Sequence, residues 1–200
     1  MSDTREHILQ TAFSLFLQRS FKAVTMSDLE KATGLTKGAF YHYFKSKEEI
    51  FIEVINKYYF PSQTFKTCEG LEKIDNLHTF FEYRLKYFRE GLEKIKKLAK
   101  IELPDPFYFT LLHEVREYYP NFYEKAKKFI QSESIQWERV IVKAKENGEI
   151  LPDIEAFILA ETFISLEMGI MRIINQKKSI DYALNILKMQ FEQLYHLINI

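Results

Sequence analysis

The sequence has a single cysteine, Cys68, among 200 residues. One cysteine cannot form an intrachain disulfide, and it excludes zinc sites that need two or more cysteine ligands. This cysteine usage fits a reducing cytoplasm. The N-terminus lacks a basic-then-apolar signal pattern, and charged residues interrupt every apolar run. We therefore expect neither a signal peptide nor a membrane span.

Glycine and proline are also scarce, with 6 and 5 residues. Helical periodicity dominates between them, and no convincing run of strict alternation is present, which predicts an all-α fold. Hydrophobic residues make up 46% of the chain and charged residues 28%, so an ordinary core can form. Aromatic residues make up 16%. They favour a bulky core, and they leave open a pocket for a flat or apolar ligand.

The formal net charge is +0, which counts against nucleic-acid binding because such proteins are often basic. The first 57 residues carry eight basic and seven acidic side chains, a net charge of +1. Placement matters more than the sum. From Lys37 through Lys47 the sequence has three lysines and no acid, which predicts a local basic strip.

Capping residues and breaks divide the chain into predicted helices. The N-terminal ones cover residues 3–19, 26–33 and 36–43, and a fourth runs from Ser46 to before Pro61. Asp75 is predicted to cap the next helix, and residues 103–106 form a sharp break. The remaining helices are predicted over residues 107–119, 121–146, 153–175 and from Ser179 onward.

The second and third predicted helices flank Gly34 and Leu35 in the pattern of a helix-turn-helix. This motif needs a tight turn and a second helix with one inward and one outward face. Lys37 and Tyr41 are four residues apart, so they share the outward face. The inward face is formed by Leu35, Phe40 and Phe44. An alternative interpretation is a plain core helix whose tyrosines reach the surface.

The stretch TMSDLEKATGLTKGAFYHYFKSKEEI, residues 25–50, resembles the DNA-binding signature of the TetR family of bacterial regulators. Residues 8–16 are similar to the first helix of that family, and the resemblance covers about residues 4–55. It implies a three-helix helix-turn-helix DNA-binding domain over residues 1–57. A larger helical domain for effector binding and dimerisation would follow over residues 58–200.

The resemblance also implies roles by position. It places Thr36, Lys37 and Gly38 near base edges, and it makes phosphate contacts of Thr25, Tyr41, His42 and Lys47. The sequence departs from the family at three positions. Small residues are usual where Glu30 and Thr33 stand, and glycine is frequent where Ser20 stands.

The last two predicted helices carry features of a subunit interface. Apolar residues repeat in steps of four and three, as in a seam between packed helices, at Ile180, Leu184, Leu187, Phe191, Leu194 and Ile198. The preceding helix has a stripe of small residues, Thr162, Ser165 and Gly169. We expect a dimeric four-helix bundle built from Thr162, Ser165, Gly169, Leu184, Leu187, Phe191 and Leu194. The alternative is an internal core of one chain.

A ligand site is a separate hypothesis. Arg84 interrupts an apolar face, and a buried guanidinium needs a partner. It therefore pairs with a carboxylate of the C-terminal domain, reaches outward, or meets an anionic ligand. Together with His113, Arg116, Gln136 and Trp137 it could form an aromatic-lined site with polar anchors, although each residue also has a plain structural explanation.

These observations predict a cytoplasmic, sequence-specific transcriptional regulator. The resemblance implies a homodimeric repressor, with an activator as the alternative, that a small hydrophobic or aromatic ligand releases from a near-palindromic double-stranded DNA operator. No cofactor, metal or membrane is expected. One alternative is a ligand-independent DNA-binding factor of the same fold. An enzyme is the other, but His113-Glu114 lacks the second histidine of a zinc-protease helix because residue 117 is Glu117.

Overall fold

The computed structural model describes residues 3–59, 73–99, 107–177 and 179–200. Within these ranges the regular structure is helical, which confirms the predicted all-α fold, and one isolated bridge joins Ile150 and Asn199. The helices are α1 (Asp3–Arg19), α2 (Met26–Thr33), α3 (Lys37–Tyr43), α4 (Lys47–Val54), α5 (Leu77–Ala99), α6 (Phe107–Tyr118), α7 (Phe122–Glu146), α8 (Ala156–Lys177) and α9 (Ile180–Ile198). A π-helical turn, Ile55–Tyr59, follows α4 directly.

The predicted loop over residues 61–70, including Cys68, and the predicted break at residues 103–106 lie outside the described residues. Among the described helices, none is both long enough and apolar enough to cross a membrane.

Capping interactions set the start of α2 as the sequence indicates. The Thr25 hydroxyl accepts a hydrogen bond from the backbone N–H of Asp28 at 3.1 Å. The Asp28 carboxylate accepts one in return from the backbone N–H of Thr25 at 2.9 Å, which completes a capping box. Gly34 ends the helix at φ 70°, a left-handed conformation that glycine adopts without strain. Ser20 has φ 69°, so the position where the family often has glycine requires the same conformation here.

Two helix starts differ from their predictions. The predicted cap of α5 was Asp75, but the Asn76 side-chain oxygen accepts the hydrogen bond from the Thr79 N–H at 2.8 Å. The predicted start of α8 at Asp153 comes too early, because that helix begins at Ala156. Ser179 caps α9 as predicted, since its hydroxyl accepts from the Tyr182 N–H at 3.1 Å.

Backbone contacts divide the chain into two units, which are described separately. Unit 1 takes residues 1–64 and 92–123, and unit 2 takes residues 65–91 and 124–200. The boundaries fall inside α5 after Gly91 and inside α7 after Tyr123. Unit 1 therefore joins the N-terminal helices to α6, whereas the domain boundary at 57/58 stays a prediction.

Each unit has a core rich in aromatic side chains. In unit 1, fully enclosed rings come from α1, α3, the residue after α3, and α4: Phe13, Phe16, Phe40, Phe44 and Phe51. In unit 2, Trp137 is fully buried and stacks on Phe163 with ring centroids 4.5 Å apart. Phe80 meets the Trp137 ring edge-on at 4.7 Å. The predicted bulky aromatic core is thus present in both units.

Candidate nucleic-acid interface

Helix α3 is held in unit 1 by very little of its own surface. Phe40 is its only fully buried side chain, and Tyr43 is half-buried. The other residues of the helix are exposed: Lys37, Gly38, Ala39, Tyr41 and His42. A helix with nearly all of its side chains exposed presents a surface that a macromolecule can contact.

Two phenylalanines anchor this exposed helix. Phe40 and Phe44 are both fully buried, which agrees with their predicted inward orientation. The Arg5 guanidinium of α1 lies 4.9 Å from the centre of the Phe44 ring. At the other end, the Thr36 hydroxyl caps the helix by accepting from the Ala39 N–H at 3.3 Å. The core and the cap together fix the orientation of α3.

Gly38 is not required by the packing of the protein itself. A Cβ atom built at this position would meet no atom within 4 Å, and its φ lies outside the left-handed region. A larger side chain could therefore be accommodated here in the free protein. The absence of a side chain leaves the α3 backbone open to close approach by another molecule.

Lys37 and Tyr41 lie on one face of α3, as their spacing predicts. The Lys37 ammonium is 5.9 Å from the centre of the Tyr41 ring, and the Tyr41 side chain is 41% exposed. His42 is exposed beside them, and its ring centroid lies 5.2 Å from that of Tyr43. This face combines a cation, a phenol and an imidazole, which are groups that contact phosphates and base edges in nucleic acids.

The Lys47 side chain binds groups of the protein itself, whereas its predicted role was a contact with a DNA phosphate. Its ammonium donates to the carbonyl oxygens of Phe21 at 2.9 Å and Val24 at 2.8 Å. It also lies 4.3 Å from the centre of the Phe21 ring. An ammonium has three donors, so these two bonds leave one for a phosphate. Lys47 thus fixes the turn before α2, and its phosphate contact stays a prediction.

Thr25 is likewise engaged within the chain. Besides capping α2, its hydroxyl donates to the Asp28 carboxylate at 2.6 Å. Hydrogen bonds from the Thr25 hydroxyl and the Thr25 backbone N–H lower the pKa of Asp28 to about 2. The Thr25 side chain remains exposed, so a phosphate would share the hydroxyl with an ionised carboxylate.

The departure from the family pattern at Thr33 has a local explanation. The Thr33 hydroxyl is buried and donates to the carbonyl oxygens of Leu29 at 2.8 Å and Glu30 at 3.0 Å, so the helix itself satisfies it. The Thr33 carbonyl oxygen lies 3.2 Å from Nε2 of His7 on α1. Glu30 is half-buried. A threonine can therefore stand where the family prefers a smaller residue.

Sequence reasoning did not identify the role of Glu114 on α6. This buried side chain accepts hydrogen bonds from the backbone N–H groups of Phe21 at 2.8 Å and Lys22 at 2.9 Å. A buried carboxylate needs such donors. The sequence separation of 93 between Glu114 and Phe21 explains why no local spacing signals the contact.

The predicted ligand residues fall in both units. In unit 2, Arg84 is fully buried and pairs with Glu167 and Glu133, which is the first of its three predicted alternatives. Trp137 lies in the aromatic core. Gln136 is half-buried, and its side-chain oxygen is enclosed with no hydrogen-bond partner among the described residues.

The other two predicted ligand residues are on the surface of unit 1. The His113 side chain is 77% exposed, and its Nδ1 lies 3.7 Å from the carboxylate of Glu117. Arg116 is exposed and donates from Nε to the Tyr123 hydroxyl at 3.0 Å. Neither side chain is buried as a residue of an enclosed pocket would be.

Unit 2 also has a groove of about 470 Å³ between α5 and α9. Ion pairs of Arg89 with Asp181 and of Lys188 with Glu82 cross it. Its lining differs from the predicted aromatic site because it is mostly charged or polar: Glu82, Leu85, Lys86, Arg89, Asp181, Leu184, Asn185 and Lys188.

The predicted dimer residues divide by burial. Leu184, Leu187 and Phe191 lie inside unit 2 and leave almost no surface for a partner. This is the placement expected of an internal core, and Leu194 is half-buried. On α8, Thr162 and Ser165 are exposed and Gly169 is half-buried. They share one helix face with the exposed Ile158 and Arg172.

The fold and this surface define a helix-turn-helix protein with an all-helical C-terminal region. Comparison with known proteins gives the same class. The family model described as "Bacterial regulatory proteins, tetR family" matches residues 8–54. Residues 8–54 are thus similar to the DNA-binding region of the TetR family.

Two curated relatives are named as regulators of transcription. The chain is 46% identical to the transcriptional repressor NemR of Escherichia coli over 57 residues, which cover 28% of this chain and 29% of NemR. The chain therefore spans less than a third of NemR in this match. It is 26% identical to the transcriptional regulator QacR of Staphylococcus aureus over 152 residues, 72% of each protein.

Solved structures share the fold over nearly the whole chain. NalD, the secondary repressor of the MexAB-OprM multidrug efflux pump in Pseudomonas aeruginosa, aligns with a TM-score of 0.63 at 20% identity. The alignment covers 95% of this chain and 94% of that one. Reduced NemR of E. coli aligns with a TM-score of 0.59 at 23% identity, over 93% and 96% of the two chains.

Proposed function

We propose that this protein is a sequence-specific DNA-binding transcriptional regulator that inserts α3 into the major groove. The observation that carries the proposal is the exposure of α3, which is anchored by Phe40 and has a glycine that its own fold does not need. A recognition helix must offer its outward face to base edges while a small core holds its other face.

The residues of the helix-turn-helix divide into two groups by expected contact. Thr36, Lys37 and Gly38 approach base edges at the start of α3. The phosphates are bound by Thr25, Tyr41, His42 and Lys47, which set the register without reading sequence. The absence of acidic residues from Lys37 through Lys47 supports this division, because an acid there would repel the DNA backbone.

The regulator acts as a homodimer on a near-palindromic operator. The two helix-turn-helix domains of a dimer reach successive major grooves when they are spaced by about one DNA turn, on the order of 34–36 Å. On one face of α8, Thr162 and Ser165 are exposed and Gly169 is half-buried, and this face supports the proposed subunit contact because small side chains let a second helix approach closely. Binding DNA places the protein in the cytoplasm, where bacterial operators are.

A small hydrophobic or aromatic ligand releases this repressor from its operator. NemR and NalD, which share its fold, are named as repressors, and NalD as one of a multidrug efflux pump. Arg84 and Trp137 are enclosed by protein groups, so a ligand that contacts them needs a rearranged unit 2. Such a ligand shifts the protein toward that state by its differential affinity.

The test is fluorescence anisotropy of the purified protein against duplexes that tile its own upstream region, at two salt concentrations. The variants are Lys37→Ala and Tyr41→Ala, with Lys127→Ala, at an exposed position of α7, as the matched control. We expect tight, salt-sensitive binding to one near-palindromic duplex. Loss of a base contact at Lys37 costs about 1–3 kcal/mol of binding free energy, whereas Lys127→Ala leaves binding unchanged.

Equal, weak binding to every duplex by the wild type would contradict an operator in this region, and a genomic selection then asks whether one lies elsewhere. Binding that survives both α3 substitutions would contradict the assigned recognition helix. Ligand release is tested separately, by thermal shift with small aromatic compounds, since a ligand of the native state raises the melting temperature. A set of compounds none of which raises the melting temperature would support the ligand-independent alternative.

A further inference from the structure

Unit 2 encloses two carboxylates and one guanidinium at the same point. Arg84 of α5 is fully buried, Glu167 of α8 is 3% exposed and Glu133 of α7 is 7% exposed. We name these three residues the buried triad. If both carboxylates were ionised, the triad would hold one negative charge in excess, out of contact with water.

The two carboxylates are not equivalent. Glu167 binds Nε and Nη2 of Arg84 through both of its oxygens, and the Trp137 indole N–H lies 3.4 Å from one of them. Glu133 lies farther away, with 3.4 Å from its Oε1 to Nη1 and 3.3 Å from its Oε2 to Nη2. Glu167 therefore forms the closer ion pair with Arg84. Glu133 is the carboxylate that has no full counter-charge.

The described surroundings do not compensate Glu133. The charged groups that act on it are Arg84 of α5, which favours its ionised form, and Glu167 of α8, which opposes it. The adjacent residue on α7, Ser134, directs its hydroxyl to Glu161 of α8 at 2.7 Å. An ionised carboxylate without a full partner is costly in the interior, and binding a proton removes that cost.

We propose that the buried triad holds one proton, on Glu133, in the packed form of unit 2 and releases it when the triad opens. The triad then makes the packing of α5, α7 and α8 depend on the pH of the solution. This inference does not depend on the proposed DNA binding.

The direction of the linkage follows from the acid strength of the group. Burial raises the pKa of Glu133 from its ordinary value of 4.5 to about 7, against the opposing effect of Arg84, and burial raises the pKa of Glu167 too. Between pH 4.5 and about 7, Glu133 is protonated in the packed form and ionised in the opened form, so at this residue the packed form binds one more proton. The packed form therefore loses stability as pH rises from 4.5 to about 7, and no further loss follows above that range.

In this pH range a small change in pH alters the equilibrium between the packed and the opened form. With one proton released, opening becomes about tenfold more favourable for each pH unit. Opening includes unfolding and any rearrangement that brings water to Glu133. A ligand that needs such a rearrangement would bind more tightly as pH rises toward neutral.

The experiment is urea unfolding of the full chain at fixed protein concentration, from about pH 5 to pH 8. It compares the wild type with Glu133→Gln, which resembles the protonated side chain. We expect the ratio of the wild-type to the Glu133→Gln unfolding constants to rise about tenfold per pH unit up to about pH 7 and then to level off.

Two further variants sharpen the comparison. Glu167→Gln leaves one carboxylate for one guanidinium, so Glu133 should ionise at lower pH and the rise should flatten. Glu124→Gln, at an exposed position of α7, should follow the wild type at every pH. A ratio that stays constant for Glu133→Gln across the whole range overturns the proposal.

A direct titration keeps the proposal testable even if Glu133→Gln does not fold. NMR of wild-type protein with ¹³C-labelled glutamate carboxyl groups should show one carboxyl that titrates near pH 7, about two to three units above exposed glutamates. If every glutamate carboxyl titrates within about one unit of its ordinary value, the triad holds no proton and the proposal fails.

Discussion

Glu114 and Lys47 bind the two backbone polar groups of one residue, Phe21. The Glu114 carboxylate accepts from its N–H at 2.8 Å, and the Lys47 ammonium donates to its carbonyl oxygen at 2.9 Å. The Phe21 ring lies against Phe51 of α4, with centroids 4.2 Å apart, and against Tyr118 of α6 at 5.4 Å. Phe21, in the turn that follows α1, thus contacts both α4 and α6 within unit 1.

Removing the Glu114 carboxylate should destabilise unit 1. Glu114→Ala leaves two N–H groups, of Phe21 and Lys22, without their acceptor, and the buried one of Phe21 alone costs about 1–3 kcal/mol. We expect a lower urea midpoint together with weaker operator binding. Glu117→Ala on the same helix is the control, because that side chain is exposed. Equal stability of the two variants would show that the Glu114 contact contributes nothing.

Lys47 and Lys37 should respond differently to the same substitution. Lys47→Met removes two internal hydrogen bonds and the proposed phosphate contact, so it should lower the free energy of unfolding by about 1–3 kcal/mol and also weaken operator binding. Lys37→Met should weaken operator binding alone, because its side chain is exposed on α3. Urea unfolding and anisotropy on both variants measure the two effects. Unchanged stability in Lys47→Met would contradict the internal role.

A substitution at Gly38 should have opposite effects on the stability of the fold and on DNA binding. Gly38→Gln should raise the free energy of unfolding by about 0.5–1 kcal/mol, because glycine loses more backbone freedom on folding than other residues and the added Cβ meets nothing. The same side chain should obstruct the approach to DNA and weaken operator binding at least roughly tenfold, a cost of about 1.4 kcal/mol. A variant that is more stable and binds as well as wild type would show that DNA does not approach Gly38.

The helices were predictable from the sequence because their signals are local. The bounds of α1 and α2 and the ends at Gly34 and Glu146 follow from periodicity, capping side chains and glycine within a few residues. The Thr25 capping box is equally local. The start of α8 was predicted too early because Pro152 and Asp153 lie in a turn before the helix rather than in its first turn.

The long-range contacts could not be predicted in the same way. The sequence indicates that Arg84 needs a carboxylate, but Glu133 and Glu167 are 49 and 83 residues away and nothing local selects them. The same holds for Glu114 and Phe21. The repeat containing Leu184 and Leu187 shows that one helix face is apolar. It does not distinguish a partner from the chain's own core, and both side chains are buried in that core.

Two residues of the predicted ligand site should differ sharply in their importance for stability. Trp137→Ala removes the largest enclosed side chain of unit 2 and should cost about 3–5 kcal/mol. His113→Ala should change the free energy of unfolding by less than about 0.5 kcal/mol, because the side chain is on the surface. Urea unfolding measures both. A large loss in His113→Ala would mean that its surface contacts hold α6 in place.

The exposed face of α8 provides the sharpest test of the dimer. Gly169→Glu adds no clash within the chain, since a Cβ there meets no atom within 4 Å. In a dimer packed on this face it buries two like charges, which costs several kcal/mol, on the order of a hundredfold or more in the dimer dissociation constant. Sedimentation velocity should therefore show a wild-type dimer and a monomeric variant that has lost operator binding. Gln131→Glu, at an exposed position of α7, should remain dimeric. A wild type that sediments as a monomer at micromolar concentration would contradict the dimer itself, and a dimeric Gly169→Glu would place the interface on another surface.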